Sequence, residues 1–265
     1  MMISIMCNKR FRGWFKNAFI FLFWLALWQL LTVMIHNRIL LAGPADTIRS
    51  LSVQVTDAGF WKAILSSLSR ISLGFFLAFF SGMLTGCLAF YRPFLRELLS
   101  PAIQLMKSIP VASFVILALI WTGAENLSVL ISFLVVYPVI HINTIAGLSH
   151  ADLRLLEMAR VFRVPLRKQA LSIYRPALYP YLESALKTAL GMGFKSGIAA
   201  EVIGVPQGSI GEGLYMAKIY LSTGELFSWT LTILLVSTAF EKVFLYLLKQ
   251  TIGYGIPKRR TESGS

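Results

Sequence analysis

Charged residues are scarce in this chain of 265 residues: 14% are charged, whereas 56% are hydrophobic, and the mean hydropathy is +0.69. One soluble core of this size could not bury so much apolar surface, so the composition excludes an ordinary soluble domain. Several apolar runs approach or reach the ~20 residues that a helix needs to cross a bilayer. The strict alternation of a membrane barrel is missing. The sequence therefore predicts an all-α, polytopic membrane protein, because helices satisfy their own backbone groups in lipid.

Cysteine and histidine are also rare. Cys7 and Cys87 show no metal-ligand spacing, and we predict neither a disulfide nor a zinc site. The three histidines, His36, His141 and His150, have no spacing with carboxylates or cysteines that suggests a metal. His141 and His150 are expected at the membrane interface, near the end of a predicted span. We therefore expect no metal or other cofactor in this chain.

A phosphate-binding loop is missing as well. No segment reads Gly-x-x-x-x-Gly-Lys-Ser/Thr, the loop that cradles the phosphates of ATP. The glycine-rich stretch 204–213 has no Lys-Ser/Thr after it and is expected to be a flexible outer loop. Lys195-Ser196 has no apparent partner base, which argues against a membrane peptidase. The sequence thus predicts a non-catalytic chain whose energy comes from another subunit.

Six apolar segments are predicted to cross the membrane, at 14–35, 63–90, 101–122, 127–148, 178–204 and 226–249. No small-residue cleavage site follows Leu31, so the first segment is expected to be an uncleaved helix. Residues 36–62 are a polar connection with room for one surface helix. Pro110 predicts a kink or break inside the third span, and such breaks can line a pathway.

The basic residues set the expected orientation. A net charge of +13 would suggest nucleic acid for a soluble protein, but its distribution fits membrane topology better. Sixteen of the 25 Lys and Arg residues fall on one side, in the stretches 9–16, 92–96, 154–175 and 249–260. The opposite side carries only Arg38, Arg49, Lys62 and Lys218. Residues 1–13 and the tail 251–265, which flank a transmembrane domain at 14–250, are therefore predicted to be cytoplasmic.

Two predicted spans carry small residues at four-residue spacing: Gly74, Ala78, Gly82 and Gly86 in the second, and Ala185, Ala189, Gly193 and Gly197 in the fifth. Such stripes let helix backbones approach closely, so we expect tight packing within the chain or between two copies. The alternative is that Gly and Ala are simply common in membrane helices.

Glu201 is a carboxylate near the end of an apolar span, where a charge is costly unless it is paired or hydrated. One reading places it at a helix interface or along a substrate path, paired with Lys195 or Lys218. The other reading is a side chain that reaches the outer surface of the membrane. The sequence leaves both open.

Residues 149–177 carry too many charges to lie in lipid and must contact water or a partner. Helical spacing predicts a short helix at about 151–162. Pro165 suits the first turn of a second helix at 166–174, set at an angle to the first. Pro176 is then expected to redirect the chain into the fifth span.

This segment contains Glu157-Met158-Ala159, then Arg163, Ile173 and Arg175-Pro176 at fixed spacing. The pattern resembles the cytoplasmic signature of the membrane subunits, or permeases, of binding-protein-dependent ABC importers: Glu-Ala-Ala, three residues, Gly, nine residues, Ile, one residue, Leu-Pro. Three positions differ. Other stretches look like permeases of the nitrate, sulfonate, taurine and thiamine-precursor group, at 39–44, 104–110 and 199–204. The resemblance extends from about residue 15 to 250.

The resemblance implies a type I ABC importer permease fold, with six transmembrane helices and a cytoplasmic coupling helix. It implies a homodimer in the bacterial inner membrane, two ABC ATPase subunits that hold ATP and Mg, and an extracytoplasmic solute-binding protein. Coupling to the ATPase is implied for Glu157, Met158, Ala159, Arg160, Arg163, Pro165, Ile173 and Pro176. Pathway or helix-packing roles are expected for Pro110, Gly193, Gly197 and Glu201.

Arg163 stands where that family has glycine. Because Arg is disfavoured at positive φ, we expect either a different backbone at this turn or an added ionic contact to the partner. Two alternatives to the coupling interpretation stay open. One is an ordinary positively charged loop that only fixes orientation. The other is a self-contained channel or ion-coupled secondary transporter that uses Glu201, Lys195 and Lys107.

Overall fold

The computed structural model describes residues 2–35, 37 and 40–251, and these are helical without a strand. The helices are α1 Met2–Ile35, α2 Pro44–Gln54, α3 Ala58–Tyr91, α4 Pro93–Ser108, α5 Val111–Ser149, α6 Leu153–Val161, α7 Leu166–Gln169, a π-helical turn Ala170–Tyr174, α8 Arg175–Gly204, α9 Ile210–Ile219 and α10 Thr223–Thr251. The all-α prediction is confirmed. His36, Arg38, Ile39 and the tail from 252 onward, with Lys258, Arg259 and Arg260, lie outside the described residues.

Within the described residues, four helices are long and apolar enough to cross a membrane: Ala18–Ile35 of α1, all of α3, all of α5 and Thr223–Gln250 of α10. The predicted fifth span lies in α8, which is 30 residues long but carries several charges. The first helix begins at Met2 rather than at residue 14. Its first turns contain no proline, and the one glycine there, Gly13, lowers helix propensity without ending a helix.

The predicted third span, 101–122, is not one helix. α4 ends at Ser108, Ile109 is extended (φ −73°, ψ 126°), and α5 begins after Pro110. The residue before a proline is pushed out of the helical region, and proline has no N–H to donate to the preceding turn. Pro110 therefore stands at a break in the backbone, where the sequence predicted one.

The helix α5 turns back on itself at Gly123, whose backbone is far from helical (φ 69°, ψ 172°). Glycine adopts this positive φ at little cost. Val115 and Ala118 before the turn pack with Leu127 and Ile131 after it, so the two arms of α5 run antiparallel. The first arm holds the end of the predicted third span, and the second arm holds the fourth.

The small-residue stripe of α3 packs against the second arm of α5. A Cβ atom on Gly82 would lie 3.1 Å from the carbonyl oxygen of Tyr137, and one on Gly86 would lie 2.7 Å from the Cβ of Thr144. The partner numbers rise together along both helices, so α3 and this arm are parallel. The stripe of α3 therefore serves close packing within the chain, which is one of the two kinds of packing that the sequence predicted.

The stripe of α8 faces the same arm of α5 from another side. A Cβ on Gly193 would lie 2.7 Å from a methyl group of Val136, and one on Gly197 would lie 3.0 Å from the Ser132 hydroxyl. Ser132 also donates a hydrogen bond of 2.9 Å to the carbonyl of Gly193. Here the numbers run in opposite directions, so α8 is antiparallel to this arm. Gly193 and Gly197 thus lie at a helix interface inside the chain.

Backbone contacts group the chain into two units, one within 1–61 and 213–232, the other within 62–212 and 233–265. The first unit has an aromatic interior. The ring centres of Phe60 and Trp229 lie 4.9 Å apart, and those of Trp28 and Phe227 lie 5.5 Å apart. The second unit holds the α3, α5 and α8 packing described above. Both candidate sites described below belong to it.

Candidate functional sites

The stretch 150–174, called the basic segment below, presents apolar side chains to solvent. Val161, Phe162 and Leu166 are 78%, 74% and 80% exposed, and they stand among arginines and a lysine. Large exposed apolar groups outside a membrane span mark an interaction surface. Arg is frequent at protein interfaces, so the mixture suits a protein partner.

The coupling residues that the sequence singled out, seven in this segment and Pro176 just after it, divide into two groups. Five have exposed side chains: Glu157, Met158, Arg160, Arg163 and Pro165. Ala159 is buried, and Ile173 and Pro176 are half-buried, so these three support the segment from its inner side. Asp152 caps α6 by accepting a 2.9 Å hydrogen bond from the backbone N–H of Arg154. The exposed group is therefore displayed on a short, capped helix and the turn that follows it.

The turn after α6 retains the left-handed backbone that glycine usually supplies. Arg163 has φ 48°. Its N–H donates to the carbonyl of Arg160 (3.2 Å), and the N–H of Val164 donates to the carbonyl of Ala159 (2.8 Å). This is the hydrogen-bond pattern of a Schellman cap, with arginine at the position where glycine is preferred. The expectation of a different backbone at Arg163 is therefore wrong, because these two bonds hold the turn in place.

The sequence predicted that Pro176 redirects the chain, but the chain does not bend away there. Residues 166–204 are helical throughout, with a π-helical turn at Ala170–Tyr174. The N–H of Arg175 donates to the carbonyl of Ala170, five residues back. This wider turn accommodates a proline at the start of α8, where its missing N–H and its ring would disturb a regular α-helical ladder. The second half of the basic segment is thus joined to α8 by continuous helix.

At the other end of α8, the Glu201 carboxylate is fully buried (0% exposed). One oxygen accepts hydrogen bonds from the Ser67 hydroxyl (2.5 Å) and from the backbone N–H of Gly211 (3.4 Å). The guanidinium of Arg70 also acts on this carboxyl group electrostatically, and the hydroxyl of Ser128 lies beside it without a hydrogen bond. The reading in which Glu201 reaches the outer surface is therefore wrong.

Among the described residues, neither lysine suggested as a partner of Glu201 forms an ion pair with it. Lys195 has an exposed side chain, and the Lys218 ammonium group lies 5.8 Å from the centre of the Tyr215 ring. Arg70 forms an ion pair with Glu125. The carboxylate thus depends on hydroxyl and backbone donors, with Arg70 as the nearby cation.

The glycine-rich stretch 204–213 is not a flexible loop throughout, because α9 begins at Ile210. Ser209 accepts a 3.0 Å hydrogen bond from the N–H of Glu212, whose carboxylate accepts one of 2.6 Å from the N–H of Gly208. The spacing Ser-x-x-Glu is that of a capping box, which fixes a helix start. The earlier expectation is corrected: this stretch holds a defined N-terminus.

His141 is also placed differently from the prediction. It is 2% exposed, and its Nδ1 lies 2.9 Å from the hydroxyl oxygen of Thr85. The same hydroxyl lies 3.0 Å from that of Tyr137. The small-residue packing of α3 on α5 brings these groups together, so the imidazole lies in the helix interface and not at the membrane surface.

Comparison with known proteins assigns the chain to a family. The model of the binding-protein-dependent transport system inner membrane component family matches residues 71–251. The chain belongs to this family. It is an integral membrane protein and a permease subunit of the ABC importer type. The basic segment and Glu201 lie within the matched region, whereas Ser67, the partner of Glu201, lies just before it.

Curated relatives of this permease carry related names. It is 25% identical to SsuC of Bacillus subtilis, named for aliphatic sulfonates transport, over 83% of this chain and 80% of the relative. It is 28% identical to the nitrate import permease NrtB of Synechococcus elongatus, over 76% and 75%. It is 23% identical to the taurine transport permease TauC of Escherichia coli, over 81% and 80%.

Sequence reasoning missed part of the site around Glu201. The Ser-x-x-Glu spacing at 209–212 is a local signal that predicts a helix start and could have been found. Ser67 carries no such signal, because it is one of several serines on α3 and lies 134 residues from Glu201 in the permease. Its role depends on the fold that brings α3 and α8 together.

Proposed function

We propose that this permease forms the translocation pathway of an ATP-driven importer in the bacterial inner membrane. In this proposal two copies form the pathway across six spans each, with both termini cytoplasmic. Two ATPase subunits bind below, and an extracytoplasmic binding protein delivers the solute from above. The family membership and the names of three relatives support it.

The observation that carries the proposal is the apolar and basic surface of the basic segment. Leu166 and Phe162 are exposed by 80% and 74% outside any apolar span, and covering them with a protein partner would remove this apolar area from water. The surrounding arginines favour a partner with acidic groups. A separate ATPase is the partner required by a transport subunit that has no phosphate-binding loop of its own.

The continuous helix from residue 166 to 204 supplies the mechanical link. When ATP brings the two ATPase subunits together, the docked basic segments move with them, and α7, the π-helical turn and α8 transmit that movement into the membrane. The pathway then changes from inward-facing to outward-facing, and ATP hydrolysis resets it. ATP and Mg bind to the ATPase, so this chain contributes binding, force transmission and a pathway but no chemical step.

The solute is proposed to be a small polar molecule of the sulfonate, nitrate or thiamine-precursor kind. The relatives named above are permeases for sulfonates, nitrate and taurine. The first two and taurine itself carry oxygen-rich anionic groups. In an importer of this kind the binding protein selects the solute, so the genes beside this permease should be searched for a binding protein whose ligand would identify the solute.

The first experiment reconstitutes the permease into liposomes alone, with the ATPase subunits, and with both ATPase and binding protein. We expect solute uptake only in the complete mixture with ATP. Uptake by the permease alone, driven by an ion gradient, would instead establish the secondary transporter.

A charge reversal at Glu157 tests the docking surface in the same system. Glu157→Lys is expected to lower ATPase binding about tenfold or more, because in this proposal the Glu157 carboxylate pairs with a basic group of the ATPase that a lysine would repel. Membrane insertion should be unchanged, because the side chain is exposed. Glu97→Lys, an exposed carboxylate on α4, is the matched control. Wild-type ATPase recruitment and transport by the Glu157 variant would refute the coupling role.

A further inference from the structure

The N-terminus of α9 is held by side chains from three parts of the chain. The N–H of Ile210 donates to the Ser67 hydroxyl on α3 (2.9 Å), and the N–H of Gly211 donates to the Glu201 carboxylate on α8 (3.4 Å). The N–H of Glu212 donates to Ser209 (3.0 Å). These amides are among those that an α-helix leaves without an internal partner. We call Ser67, Glu201, Ser209, Ile210 and Gly211 the Glu201 cluster.

Contact between α8 and α9 in this cluster is backbone to backbone. A Cβ on Gly211 would overlap the backbone and Cβ of Glu201. The link between the helices begins at Val205, which has φ 48°. A β-branched residue at positive φ is a genuine outlier, and such a conformation persists only where its surroundings hold it. The bonds of the Glu201 cluster provide that restraint.

The cluster is nevertheless an imperfect way to stabilise a fold. Among the described residues, the second oxygen of Glu201 and the hydroxyl of Ser128 are buried without a hydrogen-bond partner. Each buried polar atom left unbonded destabilises the fold, because it loses its hydrogen bonds to water and gains none in return. A well-packed apolar residue would avoid that cost. The cluster thus combines several bonds that hold α9 in place with polar groups that gain water contacts when it separates.

Resting on the proposed importer function, we propose that Glu201 and Ser67 are positioning residues that hold the start of α9 against α3 and α8 and keep the extracytoplasmic end closed until the binding protein docks. The cluster lies at the end of α8 opposite the basic segment. Opening this end to accept solute separates α9 from α8 and breaks these hydrogen bonds. Glu201 acts through the amides of α9 and does not touch the solute.

Amide hydrogen exchange of the permease in nanodiscs tests the contact by itself. In Ser67→Ala the peptide covering 205–213 is expected to exchange about tenfold faster, because the N–H of Ile210 loses its acceptor. Glu201→Gln keeps an acceptor oxygen and should show a smaller increase. The control is Ser69→Ala, an exposed serine whose hydroxyl donates to the carbonyl of Ser66 in the same helix. Unchanged exchange in Ser67→Ala would overturn the proposal whether or not the protein is an importer.

ATP hydrolysis by the assembled complex tests the positioning role. Without binding protein, Ser67→Ala is expected to hydrolyse ATP several-fold faster than wild type and to use more ATP per solute transported, at an unchanged KM for ATP. A merely structural defect would lower ATP hydrolysis and transport together, and that result would overturn the positioning role. A wild-type ratio of ATP used to solute transported, despite faster amide hydrogen exchange, would overturn it too. If the wild-type permease recruits no ATPase at all, the proposed function fails, and the exchange measurement then decides the contact alone.

Discussion

The two ends of α8 differ in what they expose and what they bury. The basic segment, joined to its first residue, leaves apolar side chains such as Leu166 in water, whereas the Glu201 cluster at its last turn buries a carboxylate completely. The first arrangement is incomplete without a partner, because exposed apolar area is unfavourable. The second is closed by groups of the same chain, Ser67 and the amides of α9. On the functions proposed above, partner binding belongs to one end of the helix and conformational restraint to the other.

The largest expected effect comes from Leu166→Asp in the basic segment. Leu166 is the first residue of α7, where an acidic side chain suits the helix dipole, so the fold should be retained. The change removes an apolar contact and adds a charge that repels an acidic partner. We expect ATPase binding to weaken about tenfold to hundredfold, measured by titration of labelled ATPase onto the permease in nanodiscs.

The exposed Ser172 provides the control for that experiment. Ser172→Asp adds the same charge to the same segment without removing an apolar contact, so it separates repulsion from lost packing. Equal weakening by both variants would show that charge alone governs docking. No weakening by Leu166→Asp would mean that the apolar surface serves another purpose.

A smaller effect, on stability, is expected at the Glu201 cluster. Gly211→Ala places a methyl group against the backbone of Glu201 and should destabilise the permease by about 1–3 kcal/mol, because two helices must move apart. Thermal unfolding of the detergent-solubilised permease would measure it. Gly191→Ala on α8 is the matched control, since a Cβ there meets no atom within 4 Å. If the two variants unfold at the same temperature, α8 and α9 are not in the close contact on which the comparison depends.

The sequence predicted those features whose cause is local. Pro110 excludes a helical backbone at Ile109, and the four-residue spacing of Gly82 and Gly86 places both on one face of a helix, so a break and a close contact could be expected at those places. The positions of α6 and α7 followed from helical spacing and from Pro165 in the same way. Each of these inferences needed only neighbours in the chain.

Other features depended on residues far apart in the sequence. The burial of Glu201 requires α3 to bring Ser67 to it, and His141 is buried because Thr85 lies across the same interface. Pro176 misled the prediction for another reason: proline usually ends a regular α-helix, but a π-helical turn before it lets the helix continue. Single-residue preferences do not contain either kind of information.

The smallest and most diagnostic change is Arg163→Gly, which separates backbone strain from partner binding in the basic segment. Arg163 has φ 48°, which costs a residue with a side chain about 1–2 kcal/mol. Glycine removes that strain but gains freedom in the unfolded chain, so stability should rise by about 1 kcal/mol or less. If the side chain also contacts acidic groups of the ATPase, docking should weaken a few-fold and become less sensitive to salt. The affinity of the ATPase for wild type and variant is measured as a function of salt concentration. Parallel salt dependences would mean that Arg163 only occupies the turn. A weaker salt dependence for the variant would show that this strained arginine is retained at the turn for an ionic contact with the partner.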